Sequence, residues 1–97
     1  MTNFKINPSP KGGWLVIEHG KTIENIQIFF NDEEFLKTAG AESIDNAIDL
    51  FIKTAKRKNL AAIIFDYREF AKWDLRYWNN HPEILVKAEE LGWVKRG

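Results

Sequence analysis

Residues 43–65, SIDNAIDLFIKTAKRKNLAAIIF, decide the fold, because one periodicity gives way to another inside them. Ile44, Ala47, Ile48, Phe51, Ile52 and Ala55 recur at the spacing of a core-facing amphipathic helix. Ser43 stands where a side-chain oxygen can cap that helix. Asp45 and Asp49 fall toward its start and Lys53, Lys56, Arg57 and Lys58 toward its end, as the helix dipole favours. Asn59 suits a C-terminal cap. Leu60 to Phe65 is then apolar at every position, the pattern of a strand covered on both faces. A long helix feeding such a strand places helices against a sheet.

Upstream, Phe4 and Ile6 alternate with polar neighbours and suggest a short strand. Pro8-Ser9-Pro10-Lys11-Gly12-Gly13 reads as a turn-rich connection. Trp14 to His19 is β-branched and aromatic, a second strand. Gly20-Lys21 fits a two-residue hairpin loop with a positive φ at the glycine. Thr22 to Phe30 is a third strand, with Ile26, Ile28 and Phe30 on one face at period two. Asn31 then caps a short helix, Glu34 completes a capping box, Phe35 and Leu36 point inward, and Gly40 closes it.

Downstream, the pattern from Arg68 turns helical, with Phe70, Trp73, Tyr77 and Trp78 at helical offsets. Asn79-Asn80-His81 interrupts it. Pro82 opens a last helix whose inner face is Ile84, Leu85, Ala88 and Leu91, Gly92 ends it, and Trp93-Val94 folds back on the body. The expected architecture is one α+β domain over residues 1–97. It comprises a three-stranded antiparallel meander, an amphipathic helix, a fourth strand, and C-terminal helices packed on the sheet.

Composition narrows the chemistry. With no cysteine among 97 residues, disulfides, thiolate metal sites and cysteine nucleophiles are excluded. The start MTNFKINPSP lacks the basic and apolar regions of a signal peptide, and no apolar run approaches a membrane span. The expectation is a cytoplasmic protein that is not tied to a membrane. His19 and His81 stand alone, without a second histidine or carboxylates at ligand spacing, and read as a turn histidine and a capping histidine. Ser9 and Ser43 sit in a turn and a cap, outside any nucleophile elbow. Gly12-Gly13 opens no helix and carries no phosphate-loop lysine. The expectation is therefore no catalysis, no metal, no cofactor and no small-molecule substrate.

Charge is the remaining signal. Lys+Arg and Asp+Glu both number 14, yet they are not evenly spread. From residue 24 to 52, Glu24, Asp32, Glu33, Glu34, Glu42, Asp45 and Asp49 face only Lys37. Helix-dipole complementation explains Asp32, Glu33, Glu34 and Asp45 but not Glu24, Asp49 or the shortage of lysines. Such a segment attracts a basic surface, including one built to hold nucleic acid. The counterpart is Arg68, Lys72 and Arg76, stacked at i, i+4, i+8 if helical and interleaved with Trp73 and Trp78. That arrangement suits phosphates and stacked bases, giving an alternative reading as a small nucleic-acid-binding module. An exposed aromatic patch serving a structural interaction domain is a third.

With its β-meander, its acidic helical segment from Glu24 to Asp49 and no catalytic motif, the chain resembles small phage-encoded anti-CRISPR proteins. It is similar in particular to the type I-F inhibitors that present carboxylates in place of DNA phosphates. The resemblance implies a monomeric inhibitor or adaptor acting in the host cell. Its partner would be a basic nucleic-acid-binding protein or complex, such as a CRISPR surveillance complex. Zero net charge and a basic C-terminal half depart from the mimic pattern, so the reading requires the seven carboxylates to be gathered on one face.

Overall fold

A computed structural model describes residues 4–97. In chain order the elements are β1 (Phe4–Ile6), β2 (Trp14–His19), β3 (Ile23–Phe29), α1 (Asp32–Ala39), α2 (Ile44–Arg57), β4 (Ala61–Asp66), α3 (Tyr67–Ala71), α4 (Leu75–Trp78), α5 (Pro82–Glu90) and β5 (Val94–Arg96). The fold is mixed α+β. The three-stranded sheet has the order β3-β2-β4 with both pairings antiparallel, so β3 and β4 run parallel to each other on either side of β2.

β1 does not join β2, as a meander of the first three strands requires. It pairs antiparallel with β5, Lys5 opposite Lys95, in a separate two-stranded sheet. A strand has two edges, and those of β2 are taken by β3 and β4. The connection through Pro8 and Pro10, which have no backbone N–H to offer a ladder, carries β1 elsewhere. Gly13 makes this route possible: its φ is +109°, and a Cβ there would stand 2.8 Å from the Phe29 carbonyl oxygen.

The hairpin between β2 and β3 is also longer than a Gly20-Lys21 loop. Residues 20–22 form it, closed by Gly20 N–H donating to the Thr22 carbonyl at 3.0 Å, and Gly20 has no positive φ. The register slips between Glu18 and His19, which face Asn25 and Ile23, leaving Glu24 as the bulged residue. Phe30 leaves the face it would share with Ile28. Its N–H is taken at 2.9 Å by the Glu34 carboxylate as the chain turns into α1, and the ring is exposed.

Alternation sorts β2 into two sets. Trp14, Val16 and Glu18 face α1 and α2, with Phe29 and Ile64 beside them; Leu15, Ile17 and His19 face the C-terminal half, with Ile28, Ile26, Phe65 and Ile63. On the first face Phe35 is fully buried, stacked on Trp14 at 4.4 Å and Phe51 at 5.1 Å. Both helices there end on the caps their sequences lead one to expect, except that the Glu34 carboxylate reaches one residue past the Asn31 N–H of a capping box, to that of Phe30. Asn31 and Ser43 accept from the backbone of Glu34 and Asn46. Gly40 (φ 72°) and Asn59 (φ 60°) supply left-handed caps.

The second face is covered by shorter pieces. The helix running from Arg68 through Trp78 in the sequence pattern is broken at Lys72-Trp73-Asp74, because the Asp74 side chain accepts the Arg76 N–H at 2.8 Å and so starts α4 afresh. The break divides the aromatics. Phe70 and Trp78 are buried and stacked at 4.6 Å, while Trp73 and Tyr77 are turned out to solvent. Pro82 opens α5, and Ile84, Leu85, Ala88 and Leu91 are buried as its pattern requires. Trp93 and Val94 fold back into the same core. The Trp93 indole donates to the Gly12 carbonyl at 2.8 Å, and the Tyr67 hydroxyl donates to the Asn7 carbonyl. No helix of the described residues is long and apolar enough to cross a membrane.

Candidate binding site

The acidic stretch lies mostly on the α1–α2 layer. Asp32, Glu33 and Glu34 form the first turn of α1, Glu42 lies in the connection, and Asp45 and Asp49 lie on the first half of α2; all are exposed. Glu24 is separated from them. It lines a shallow depression with Glu83 and Lys87 of α5, on the other side of the sheet, the side it shares by alternation with Ile26 and Ile28. Two of the remaining six have work inside the fold. Asp32 accepts the Trp14 indole N–H at 2.7 Å, and Glu34 holds the Phe30 N–H. Glu33, Glu42, Asp45 and Asp49 make no such bond, and none of the six has a basic group within 4.0 Å among the described residues.

The basic stretch is built the opposite way. Arg68 is 3.5 Å from Asp66, Lys72 is 2.8 Å from Glu69, and Arg76 is 3.1 Å from Asp74. Each cation therefore carries its own carboxylate. The Arg76 guanidinium holds the Asp74 carboxyl below its ordinary range, first through their side-chain hydrogen bond. Because α3 and α4 are separate helices, the i, i+4, i+8 stack does not form. Of the aromatics placed with that stack, Trp73 is exposed and Trp78 is in the core.

Two further features were not legible as sites in the sequence. The first is Glu18, 4% exposed, on the face of β2 under α2. Its carboxylate accepts from Lys58 at 2.9 Å and Asn25 at 3.1 Å. The Lys58 hydrogen bond is the main cause that holds its pKa below the ordinary 4.5, against the opposing effect of burial. This group locks the end of α2 to the sheet.

The second is a groove of about 380 Å³ at the hairpin end of the other face, where α4 and α5 stop short of covering the strands. Ile17, Ile23, Ile63, Phe65 and Trp78 form its floor, and His19, Lys21, Tyr77, His81 and Glu83 its rim. His19 lies on the inward set of β2, beyond Ile17. His81 takes the N-cap position of α5 but its ring makes no capping bond, and Nδ1 lies 4.0 Å from the Glu83 carboxylate. Trp73 packs tilted against Tyr77, with ring centroids 4.9 Å apart, and extends the apolar surface outward. Such a concave apolar floor with a polar rim suits an apolar side chain or a small amphipathic molecule. The only sequence cue was Ile63 in a strand apolar on both faces, since the rim residues meet only through tertiary packing. No group of three or more His, Cys, Asp or Glu among the described residues is placed to hold a metal ion.

No protein-family model, no curated protein and no solved structure matches this chain.

Proposed function

We propose that the chain is a non-catalytic protein-binding domain, an inhibitor or adaptor whose acidic α1–α2 surface occupies a basic, nucleic-acid-binding site on its partner. The observation that supports this reading is the contrast in pairing. The carboxylates in the first turn of α1 and the first half of α2 are exposed and without basic partners, and the unpaired Lys53, Lys56 and Arg57 are confined to the second half of α2, whereas Arg68, Lys72 and Arg76 are each neutralised by a neighbour. Unpaired charge projects a field that draws and orients a complementary surface; paired charge does not. A CRISPR surveillance complex, with its basic DNA-binding groove, is the partner class to which the sequence resemblance leads.

The cleanest test uses Glu33 and Glu42, whose side chains make no hydrogen bond or ion pair among the described residues. A Glu33→Lys/Glu42→Lys variant should recover less of a basic partner in pulldowns from cells in which the protein acts, and the wild-type interaction should weaken as salt rises. A purified type I-F surveillance complex should likewise lose bound DNA to the wild type and not to the variant. Equal recovery by the folded variant overturns the acidic-face reading. The alternative, direct nucleic-acid binding through Arg68, Lys72, Arg76 and Trp73, draws support from the exposed Trp73–Tyr77 pair alone. Anisotropy of a labelled oligonucleotide at low salt distinguishes it, because this reading requires a shift where the leading one requires none.

A further inference from the structure

We infer that two copies of this chain associate through the outer edge of β4, forming one continuous sheet with α2 antiparallel to its copy. The inference begins from how the sheet ends. A free edge strand exposes a row of unpaired backbone donors and acceptors, and natural edges are blunted by charge, proline, bulges or cover. The β3 edge has such protection: the bulge at Glu24, exposed charge there, and α5 lying against it. The small sheet carries Lys5, Lys95 and Arg96. β4 has only one of these devices, the charge of Asp66 at its last position. Its register with β2 is unbroken over six pairs, and Ala61-Ala62-Ile63-Ile64-Phe65 holds no charge and no proline. No strand among the described residues pairs with its outer side. Ile63 stands 41% exposed at its middle.

The same edge is self-complementary. Residues opposite one another in an antiparallel pair share a face, so a two-fold axis must pass through a residue of the strand and its own copy. Centred on Ile63, the register sets Ile63 against Ile63 and small Ala61 of one copy against large Phe65 of the other.

The helix above the edge agrees. α1 lies over β3 and α2 over β4. At about 100° per residue, Leu50, Thr54 and Arg57 form one flank of α2, and it shares a depression with Thr38 and Ala39 of α1. The opposite flank, overhanging the β4 edge, reads Asp45, Asp49, Ile52, Lys56. The charged three are exposed, and none is paired within the described chain. Turned antiparallel by the two-fold axis, acid meets base at each end with Ile52 against Ile52 between them. Zero net charge leaves no overall repulsion between copies. The dimer engages Asp45 and Asp49 but leaves Glu33 and Glu42 free, so the partner test above reads a separate surface.

Sedimentation of the whole chain from about 5 to about 500 μM should show mass rising from 11.3 kDa toward twice that value. Ile63→Lys, and independently Ala61→Lys, should weaken dimerisation at least tenfold while the far-ultraviolet spectrum and Tm show a folded domain. Because the chain has no cysteine, Ile63→Cys should form a disulfide-linked dimer on mild oxidation, and Asn25→Cys, on the β3 edge, should not. A wild type that stays at monomer mass throughout, folded lysine variants that dimerise like the wild type, or equal cross-linking at both positions overturns the proposal.

Discussion

The two faces of the central sheet are covered in different ways. Under α1 and α2 the cover is two well-capped helices joined by a short turn, clamped by the Glu18–Lys58 pair, with Phe35 at its centre. On the other face, three helices of four to nine residues, two terminal strands and the indoles of Trp78 and Trp93 assemble from distant parts of the chain. The first cover leaves charge on its surface; the second leaves an apolar groove. Local sequence order therefore builds a layer with a charged surface, while long-range assembly leaves apolar sheet uncovered where its pieces end.

The largest effects expected are those that break either core. Trp78→Ala and Phe35→Ala should each cost about 3–5 kcal/mol, measured by urea unfolding. Both faces share β2, so near- and far-ultraviolet signals should be lost in one transition in each variant. Two separated transitions in Trp78→Ala would show that the α1–α2 layer stands without its opposite cover.

Next comes the route that joins the faces. Gly13→Ala adds a Cβ 2.8 Å from a backbone oxygen at a positive φ, and should cost about 2–3 kcal/mol. Gly40→Ala, at φ 72° with nothing within 4 Å, should cost about 1 kcal/mol. Calorimetric Tm values compare the two, and equal losses would remove the close approach as the cause.

The clamp is smaller and depends on pH. Glu18 has a folded pKa below its ordinary 4.5, so its stabilisation is present above that value and fades as pH falls through it toward the lowered one. Lys58→Met should cost about 1–2 kcal/mol at neutral pH by leaving the buried carboxylate with Asn25 alone. The deficit should shrink below pH 4.5, as Glu18 protonates in both folded and unfolded chains. A deficit independent of pH between 3 and 7 would assign the effect to packing of the Lys58 stem. The smallest effect belongs to the polar surface: Glu33→Lys/Glu42→Lys should change stability by less than about 1 kcal/mol in chemical denaturation. A larger loss would mean that those carboxylates serve the fold.

What the sequence made legible follows the same division. The α2 stripe, its Ser43 and Asn59 caps, the Gly40 stop and the Pro82 start are all local patterns, and each is in the structure apart from Ile52, which lies off the core; β4 forms as a strand but is covered on one face only in part, with Ile63 exposed. The partner of β1 was not legible, because strand pairing depends on which edges other strands have already filled. Helical periodicity ran through Lys72-Trp73-Asp74 because spacing alone does not show that Asp74 will cap a new helix. The acidic residues were legible by type, and their exposure agrees with the reading, except that Glu24, two residues before Ile26 on β3, lies on the far side of the sheet. The groove was not legible, since His19, Tyr77 and His81 have no sequence pattern in common.

The β1–β5 pair also sets where the chain can be cut and joined. Phe4 lies directly across from Arg96, so a tag or a fused domain at either end would leave from one spot. A short linker between those ends, with new termini opened beside Glu42 in the turn at residues 40–42, where Gly40 and Glu42 are exposed, gives a circular permutant that keeps every strand pairing intact.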